Sequence, residues 1–222
     1  MLKLVLFDLD GTLMDTAPEI ADAVNDTLAR LKLPPVDDEL VRGWIGDGAR
    51  VLLQRALAHV QAPPLAAAQA WNGFALDYAQ RCGSNSRVHD GARALLQRLR
   101  AQGLHTALLT NKEAAFAHRL LALHDLTGDF DVIVAGDTLP VKKPHPAVVD
   151  HVLQALDVQP HEAMLVGDSV TDVRTARNAG VAAWLVTHGY PQGELAGDDA
   201  PDGFIPHFDQ FHPQTAARVA IA

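Results

Sequence analysis

The sequence predicts an α/β fold: a mostly parallel β-sheet flanked by helices, with an all-helical segment inserted after the first strand. Three observations carry this. Leu4-Val5-Leu6-Phe7 is a continuous apolar run, as expected of a strand buried on both faces. Residues 16–82 hold helical periodicity and no strand candidate. From residue 92 onward, apolar strands alternate with amphipathic helices, the pattern of right-handed parallel crossovers.

Each element has its own warrant. The first strand stops at Asp8-Leu9-Asp10-Gly11-Thr12, where Gly11 breaks it. Ile20, Val24, Leu28 and Leu31 share one face of a helix over 17–31, which Pro34-Pro35 ends. A short helix over 37–42 and a third over 49–59 follow. Pro63-Pro64 opens a fourth, with Trp71, Phe74, Ala75, Tyr78 and Cys82 as its apolar stripe, and Gly83-Ser84-Asn85-Ser86 closes it as a linker.

A helix with Ala92, Leu95, Leu96 and Leu99 inward then leads into a strand over 104–110. Phe116, Leu120 and Leu123 mark the inner face of the next helix, before a strand over 130–135. A helix over 145–156 presents Val149, Val152, Leu153 and Leu156; a strand over 163–166, a helix over 172–178 and a strand over 181–186 complete the alternation. Beyond Gly189 the pattern weakens to a short strand at Phe204-Ile205 and a closing helix. The implied division is a core of 1–15 and 83–222 with a helical insert of 16–82.

Composition narrows the function classes. With 48% hydrophobic residues, the 222-residue chain can build a sizeable core. A net charge of −9, from 18 basic and 27 acidic residues, argues against a broad nucleic-acid surface or an anionic membrane as partner. It leaves room for a small anionic substrate, which responds to local charge. Cys82 is the single cysteine, so no intramolecular disulfide forms and a reducing compartment is expected. Asp8 and Asp10 interrupt the first apolar run too early for a signal peptide or membrane span, making cytoplasmic the default for a monomer or homodimer. The eleven histidines are scattered, with no spacing typical of a metal site.

The strand ends carry the chemistry. Alternate residues of an ordinary strand point to the same side, so Asp8 and Asp10 would repel without a cation, and a divalent metal is the usual remedy. Later strands also end in polar residues: Thr110-Asn111-Lys112, Gly136-Asp137 followed by Lys142-Lys143-Pro144, and Gly167-Asp168 with Asp172 one helical turn on. A parallel sheet gathers such ends at one edge, where open α/β sheets bind ligands. Carboxylates, a hydroxyl–amide pair and a lysine suit phosphoryl transfer. One carboxylate attacks phosphorus, Mg²⁺ is shared between carboxylates and a phosphate oxygen, and the hydroxyl and lysine neutralise the remaining oxygens. A second acid protonates the leaving oxygen and then activates water.

Taken singly, each feature admits a plainer reading. Asp8 and Asp10 could cap a turn, Thr110-Asn111 could start a helix, and Asp172 could be a helix N-terminal charge. Lys142 and Lys143 could be a solvated pair, Gly46 and Gly48 a tight turn, and Arg42 and Arg50 surface arginines.

Taken together, Asp8-Leu9-Asp10-Gly11-Thr12, Leu109-Thr110-Asn111, Lys143-Pro144 and Gly167-Asp168-Ser169-Val170-Thr171-Asp172 resemble the four ordered motifs of the haloacid dehalogenase superfamily, over roughly residues 3–190. The resemblance implies a Rossmann-like core with a small helical cap closing over the cleft. It makes Asp8 the nucleophile and Asp10 the general acid/base, whose backbone carbonyl joins Asp8 and Asp168 around Mg²⁺. Thr110, Asn111 and Lys143 would bind the phosphoryl group, Lys143 being favoured over Lys142 because it directly precedes proline, and Asp172 would support the metal indirectly. Trp44-Ile45-Gly46-Asp47-Gly48-Ala49-Arg50, with Thr110-Asn111-Lys112 and Gly136-Asp137-Thr138-Leu139-Pro140, resembles bacterial phosphoglycolate phosphatases, though many of these carry Asn where this chain has Asp47. Gly46 and Gly48, with Arg42 or Arg50, would then contact substrate.

The expected activity is Mg²⁺-dependent hydrolysis of a small phosphomonoester, 2-phosphoglycolate giving glycolate and phosphate. The alternatives are another small metabolite (a sugar phosphate or pyrophosphate), a phosphomutase, or a non-catalytic member of the fold. A dehalogenase has no need of Asp10, and a mutase of this build usually carries an early cap histidine, whereas none precedes His59.

Overall fold

β1 (Leu4–Phe7) is fully enclosed, and the sheet grows outward from it. A computed structural model of the chain describes residues 1–190 and 193–212. After β1 come β2 (Met14–Asp15), then α1 (Ala17–Arg30), α2 (Asp38–Arg42), α3 (Ala49–His59) and α4 (Pro64–Arg81), then β3 (Arg87–Val88). The alternating half follows: α5 (Ala92–Ala101), β4 (His105–Leu109), α6 (Ala114–Leu123), β5 (Val132–Val134), α7 (Ala147–Leu156), β6 (Ala163–Gly167), α8 (Val170–Ala179), β7 (Ala182–Val186) and β8 (Gly203–Ile205).

Six strands form one parallel sheet in the order β5-β4-β1-β6-β7-β8. Phe7 pairs with Leu108 on one side and Val166 on the other, so the strand ends carrying Asp8, Thr110 and Asp168 emerge side by side. Side chains alternate across the sheet. Val5 and Phe7 join a core that takes in Leu95, Leu99 and the helices of the insert, whereas Leu4 and Leu6 join Val149, Val152, Val173 and Leu185 on the opposite face.

Helices α1 to α4 pack on one another between β2 and β3. Buried Asp77 accepts a hydrogen bond from Thr27 at 2.9 Å and pairs with Arg30, joining α4 to α1. β2 and β3 pair antiparallel, Met14 with Val88 and Asp15 with Arg87, so both crossings between insert and sheet form one ribbon. No helix among the described residues is long and apolar enough to cross a membrane.

Several expectations shift. In α6 the buried residues are Ala117, Leu120 and Leu121, while Leu123 is 57% exposed and Phe116 partly buried. Phe116 packs edge-on against Tyr78 with ring centroids 4.6 Å apart, and Leu123 lies against Gly83, so both face the insert and its linker rather than the sheet. α7 buries Val148 in addition to Val149, Val152 and Leu153, with Leu156 partly buried. α8 begins two residues earlier than expected because Ser169 and Asp172 form a capping box. β3 was not anticipated, being a two-residue strand with no apolar pattern. The expected closing helix lies outside the described residues.

His89, just after β3, packs at a tilt against His188 with ring centroids 4.1 Å apart, and its Nε2 is buried with no hydrogen-bond partner. Burial, then the neighbouring His188, pushes its pKa from 6.5 down to about 4. Below pH 6.5 the unfolded chain therefore takes up a proton that the folded chain refuses, and stability falls as pH drops towards 4. Urea unfolding of wild type and His89→Gln at pH 7.5 and pH 5 should show the acid loss reduced by about 1 kcal/mol in the variant, after allowance for water reaching a half-buried ring. An equal loss in both proteins would remove His89 from the account.

Candidate active site

Four segments converge at the carboxyl edge of the sheet. Asp8, directly after β1, is 4% exposed, and its backbone N–H donates to Val166 O at 2.9 Å. Lys143 lies 2.9 Å from Asp8 Oδ1 as an ion pair without the alignment of a hydrogen bond, so that oxygen has no hydrogen-bonded partner. The same ammonium donates to Asp172 Oδ1 at 2.7 Å. Asn111 fixes this lysine from behind: its amide donates to Lys143 O at 3.2 Å, and its Oδ1 accepts from Lys143 N–H at 3.0 Å. Thr110, also buried, accepts the Lys112 N–H at 3.2 Å and so closes its own turn.

Asp168 and Asp172 complete an acidic group. Oxygens of Asp8, Asp168 and Asp172 lie within 4.8 Å of one another, all in buried residues. Asp172 Oδ2 accepts from the N–H groups of Asp168 and Ser169 and from the Ser169 hydroxyl at 2.7 Å, the box that starts α8. Asp168 accepts from the Thr12 hydroxyl at 3.2 Å and the Tyr190 N–H at 2.6 Å. Gly11, at φ 83°, passes so close to Asp168 that a Cβ would collide with the carboxylate.

Three carboxylates face one ammonium, which leaves an excess of negative charge in a desolvated place. Burial raises the Asp8 pKa from 3.8 to about 6 against the opposing pull of Lys143. Burial, then Asp172 and Asp8, pushes Asp168 well above the usual carboxylate range. The charges of Asp172 and Asp8 hold Lys143 protonated despite its burial. An all-oxygen donor set with surplus negative charge fits a hard divalent cation.

Asp10 points elsewhere. It accepts from the Thr16 hydroxyl at 2.6 Å and pairs through both oxygens with Lys112, at 2.9 and 3.1 Å. The Lys112 ammonium also lies 4.8 Å from the Tyr78 ring centroid. The sequence motif contains Lys112 but gave it no role, because its partner is set by side-chain direction. Tyr190 was missed altogether: its hydroxyl accepts the N–H groups of Thr16 and Ala17, at 2.8 and 3.0 Å, and donates to Asp15. Lying in the weakly patterned tail of the sequence, it offered no signal.

The insert reaches the site through residues 46–48. Gly46 O accepts from the Asn111 amide at 3.0 Å, and Asp47 O accepts from Lys142 at 2.8 Å. The Asp47 carboxylate accepts from Arg55 and, at 2.8 Å, from the Thr171 hydroxyl at the start of α8. Its charge is therefore tied to Arg55 rather than turned towards the cavity. That cavity, of about 40 Å³, lies between the sheet edge and the insert and is lined by Asp8, Asp10, Lys112, Gly46, Gly48 and apolar side chains. Neither arginine expected at substrate lines it. Arg42 sits over the Tyr190 ring and 3.5 Å from Asp15, and Arg50 stacks on Trp71 at 4.0 Å, beside a separate groove between α3 and α4.

Known proteins resemble the chain in sequence and fold. Residues 2–180 match the family model described as haloacid dehalogenase-like hydrolase. A phosphoglycolate phosphatase of Pseudomonas putida is 42% identical over 203 residues, covering 90% of this chain and 74% of that protein. A crystal structure from Haemophilus somnus, described as a predicted phosphoglycolate phosphatase, superposes with a TM-score of 0.87 at 31% identity over 93% of this chain and 95% of that one. CbbY of Rhodobacter sphaeroides, solved in complex with phosphate, gives 0.79 at 26% identity over 95% of this chain and 96% of that one. A matching family model over most of the length, and strand ends that assemble one acidic, lysine-braced edge, make this chain a member of the haloacid dehalogenase-like hydrolases and a phosphatase among them.

Proposed function

We propose that the chain is a Mg²⁺-dependent phosphomonoester hydrolase that works through an aspartyl-phosphate and whose substrate is 2-phosphoglycolate. The observation that carries the mechanism is the separation of the two aspartates: Asp8 beside Lys143 and the acidic group, Asp10 held away on Lys112 and Thr16. Asp8, Asp168 and the backbone carbonyl of Asp10 would hold Mg²⁺, with Asp172 behind them, and the bound ion would neutralise phosphate oxygens.

Asp8 attacks phosphorus through a carboxylate oxygen as the bond to the ester oxygen breaks. Lys143, already paired to Asp8, neutralises charge on the phosphoryl oxygens, and Thr110 contributes its hydroxyl. Asp10 gives a proton to the leaving oxygen, then takes one from the water that cleaves the aspartyl-phosphate. Asn111 acts by holding the Lys143 backbone, since its amide group is already engaged. The small, largely apolar cavity under the insert favours a short substrate, and relatives about 40% identical are named phosphoglycolate phosphatases. Asp47, neutralised by Arg55, puts no free charge in the way of a substrate carboxylate.

Asp8→Asn should cut phosphate release by at least about 10³-fold while leaving the melting temperature within a few degrees, since it relieves rather than creates charge imbalance. Undiminished turnover in that variant would sink the nucleophile assignment. kcat/KM measured with Mg²⁺ over a panel of phosphomonoesters should rank 2-phosphoglycolate first; a sugar phosphate or pyrophosphate at the head of the panel would overturn the substrate. The insert closes the site as a cap, and Asp47 is one of its latches, onto the first turn of α8. Asp47→Ala should therefore raise KM several-fold and speed proteolysis of the linker at residues 83–86, readouts that stay flat if the latch is idle.

A further inference from the structure

The two ends of the insert are held by different parts of the molecule. At its exit, linker residues Gly83 and Asn85 give their backbone N–H groups to Glu19 at 2.8 and 3.3 Å. Glu19 is a buried residue of α1, so that end is tied to the insert itself. At its entry, the holder comes from the sheet side. Tyr190, buried shortly beyond β7, accepts the N–H groups of Thr16 and Ala17 at 2.8 and 3.0 Å and donates to Asp15. Thr16 would ordinarily cap α1 with its own hydroxyl, but that hydroxyl is turned to Asp10 at 2.6 Å. Tyr190 supplies what the first turn of α1 lacks. Burial, then the bond to Asp15, pushes the pKa of the phenol up, so it stays a donor.

The same residue touches the insert a second time and the acidic group once. Arg42 Cζ, on α2, lies 4.8 Å from the Tyr190 ring centroid, and the Arg42 guanidinium is 3.5 Å from the Asp15 carboxylate. The Tyr190 backbone N–H donates to Asp168 Oδ2 at 2.6 Å. The packing leaves little room for a shift: a Cβ on Gly11 would lie 2.8 Å from the ring, and one on Gly189 would lie 2.2 Å from Asp168 Cβ. A ring that loses its hydroxyl contacts and moves therefore carries the bond to Asp168 with it.

We propose that Tyr190 is a positioning residue of the hydrolysis: its side chain seats the insert over the cleft, and its backbone aims the Asp168 carboxylate at the position assigned to Mg²⁺. This deepens the hydrolase reading above and rests on it.

Two variants separate these duties. Tyr190→Phe removes the hydroxyl and keeps the ring and the backbone N–H. Arg42→Gln removes a partly exposed contact of the insert and leaves Tyr190 bonded to Asp168. Each is compared with wild type by calorimetric titration of Mg²⁺ alone, by the rate of proteolysis of the linker at residues 83–86, and by kcat and KM for 2-phosphoglycolate. Tyr190→Phe should weaken Mg²⁺ binding by about 10-fold at full stoichiometry, speed linker cleavage and raise KM several-fold. Arg42→Gln should speed cleavage and raise KM with the Mg²⁺ Kd of wild type. A Tyr190→Phe protein with the wild-type Kd overturns the proposal, whatever its stoichiometry. Reduced stoichiometry with unchanged Kd and KM is the signature of lost folded protein alone. Linker cleavage at the wild-type rate in both variants overturns it as well, because Tyr190 then seats nothing. Calorimetry and proteolysis need no turnover. If wild type releases no phosphate from 2-phosphoglycolate, the hydrolase reading falls, and those two measurements still decide the role of Tyr190.

Discussion

The arrangement depends on one electrostatic constraint: three buried carboxylates share the end of a parallel sheet with a single buried ammonium. Leaving a buried charge uncompensated costs about 3–5 kcal/mol, so the surrounding structure has to hold the lysine in register. It does so through backbone and side chain together. Asn111, at the end of β4, grips both the N–H and the carbonyl of Lys143, while Asp172 draws the ammonium from the side of α8. The same Asp172 caps its own helix, so the start of α8 and the charge balance of the site are set by one carboxylate.

The constraint reaches the insert through residues adjacent in the chain. Asn111 and Lys142 hold the 46–48 loop, and Thr171, next to the α8 cap, holds Asp47. On the other side, Tyr190 gives its backbone N–H to Asp168 and its hydroxyl to the first turn of α1. Thr16 supplies no side-chain cap there; the phenol from the far end of the chain takes its place. Asn111 and Tyr190 thus touch both the site and the insert, and Lys142 and Thr171, which hold Asp47, directly precede Lys143 and Asp172.

This explains what could be read in the sequence. Asp8, Lys143, Asp168 and Asp172 were legible because a parallel sheet brings strand ends together whatever the loops do, and short polar motifs mark those ends. The helices of the alternating half were legible from apolar spacing, but their rotation was less so. Phe116 and Leu123 fit the periodicity of an inner face, yet they pack on Tyr78 and near Gly83, because the insert offers a second apolar surface that periodicity cannot distinguish from the sheet. Arg50 was misjudged for a related reason. One turn of α3 decides whether a long side chain enters the cavity or lies on Trp71, and nothing in the sequence sets that turn. Lys112 and Tyr190 act through contacts 102 and 22 residues away in the chain, beyond any local pattern.

Asp8 and Asp10 stand two residues apart and bear the same carboxylate, so what separates their chemistry is how each is paired. Asp8 shares a lysine with Asp172, and that lysine is anchored at its backbone as well as its ammonium. Such a pairing resists exchange, which would suit the nucleophile proposed for Asp8. The partners of Asp10 are a threonine hydroxyl and a lysine whose ammonium also lies over the face of the Tyr78 ring. A hydroxyl can rotate away, and the ring face gives the lysine partial compensation. Gly11 and the turn after it send the two side chains to these different partners. In the proposed two-step hydrolysis, fixed pairing would suit the nucleophile and exchangeable pairing the acid, which gives up a proton in the first step and takes one up in the second.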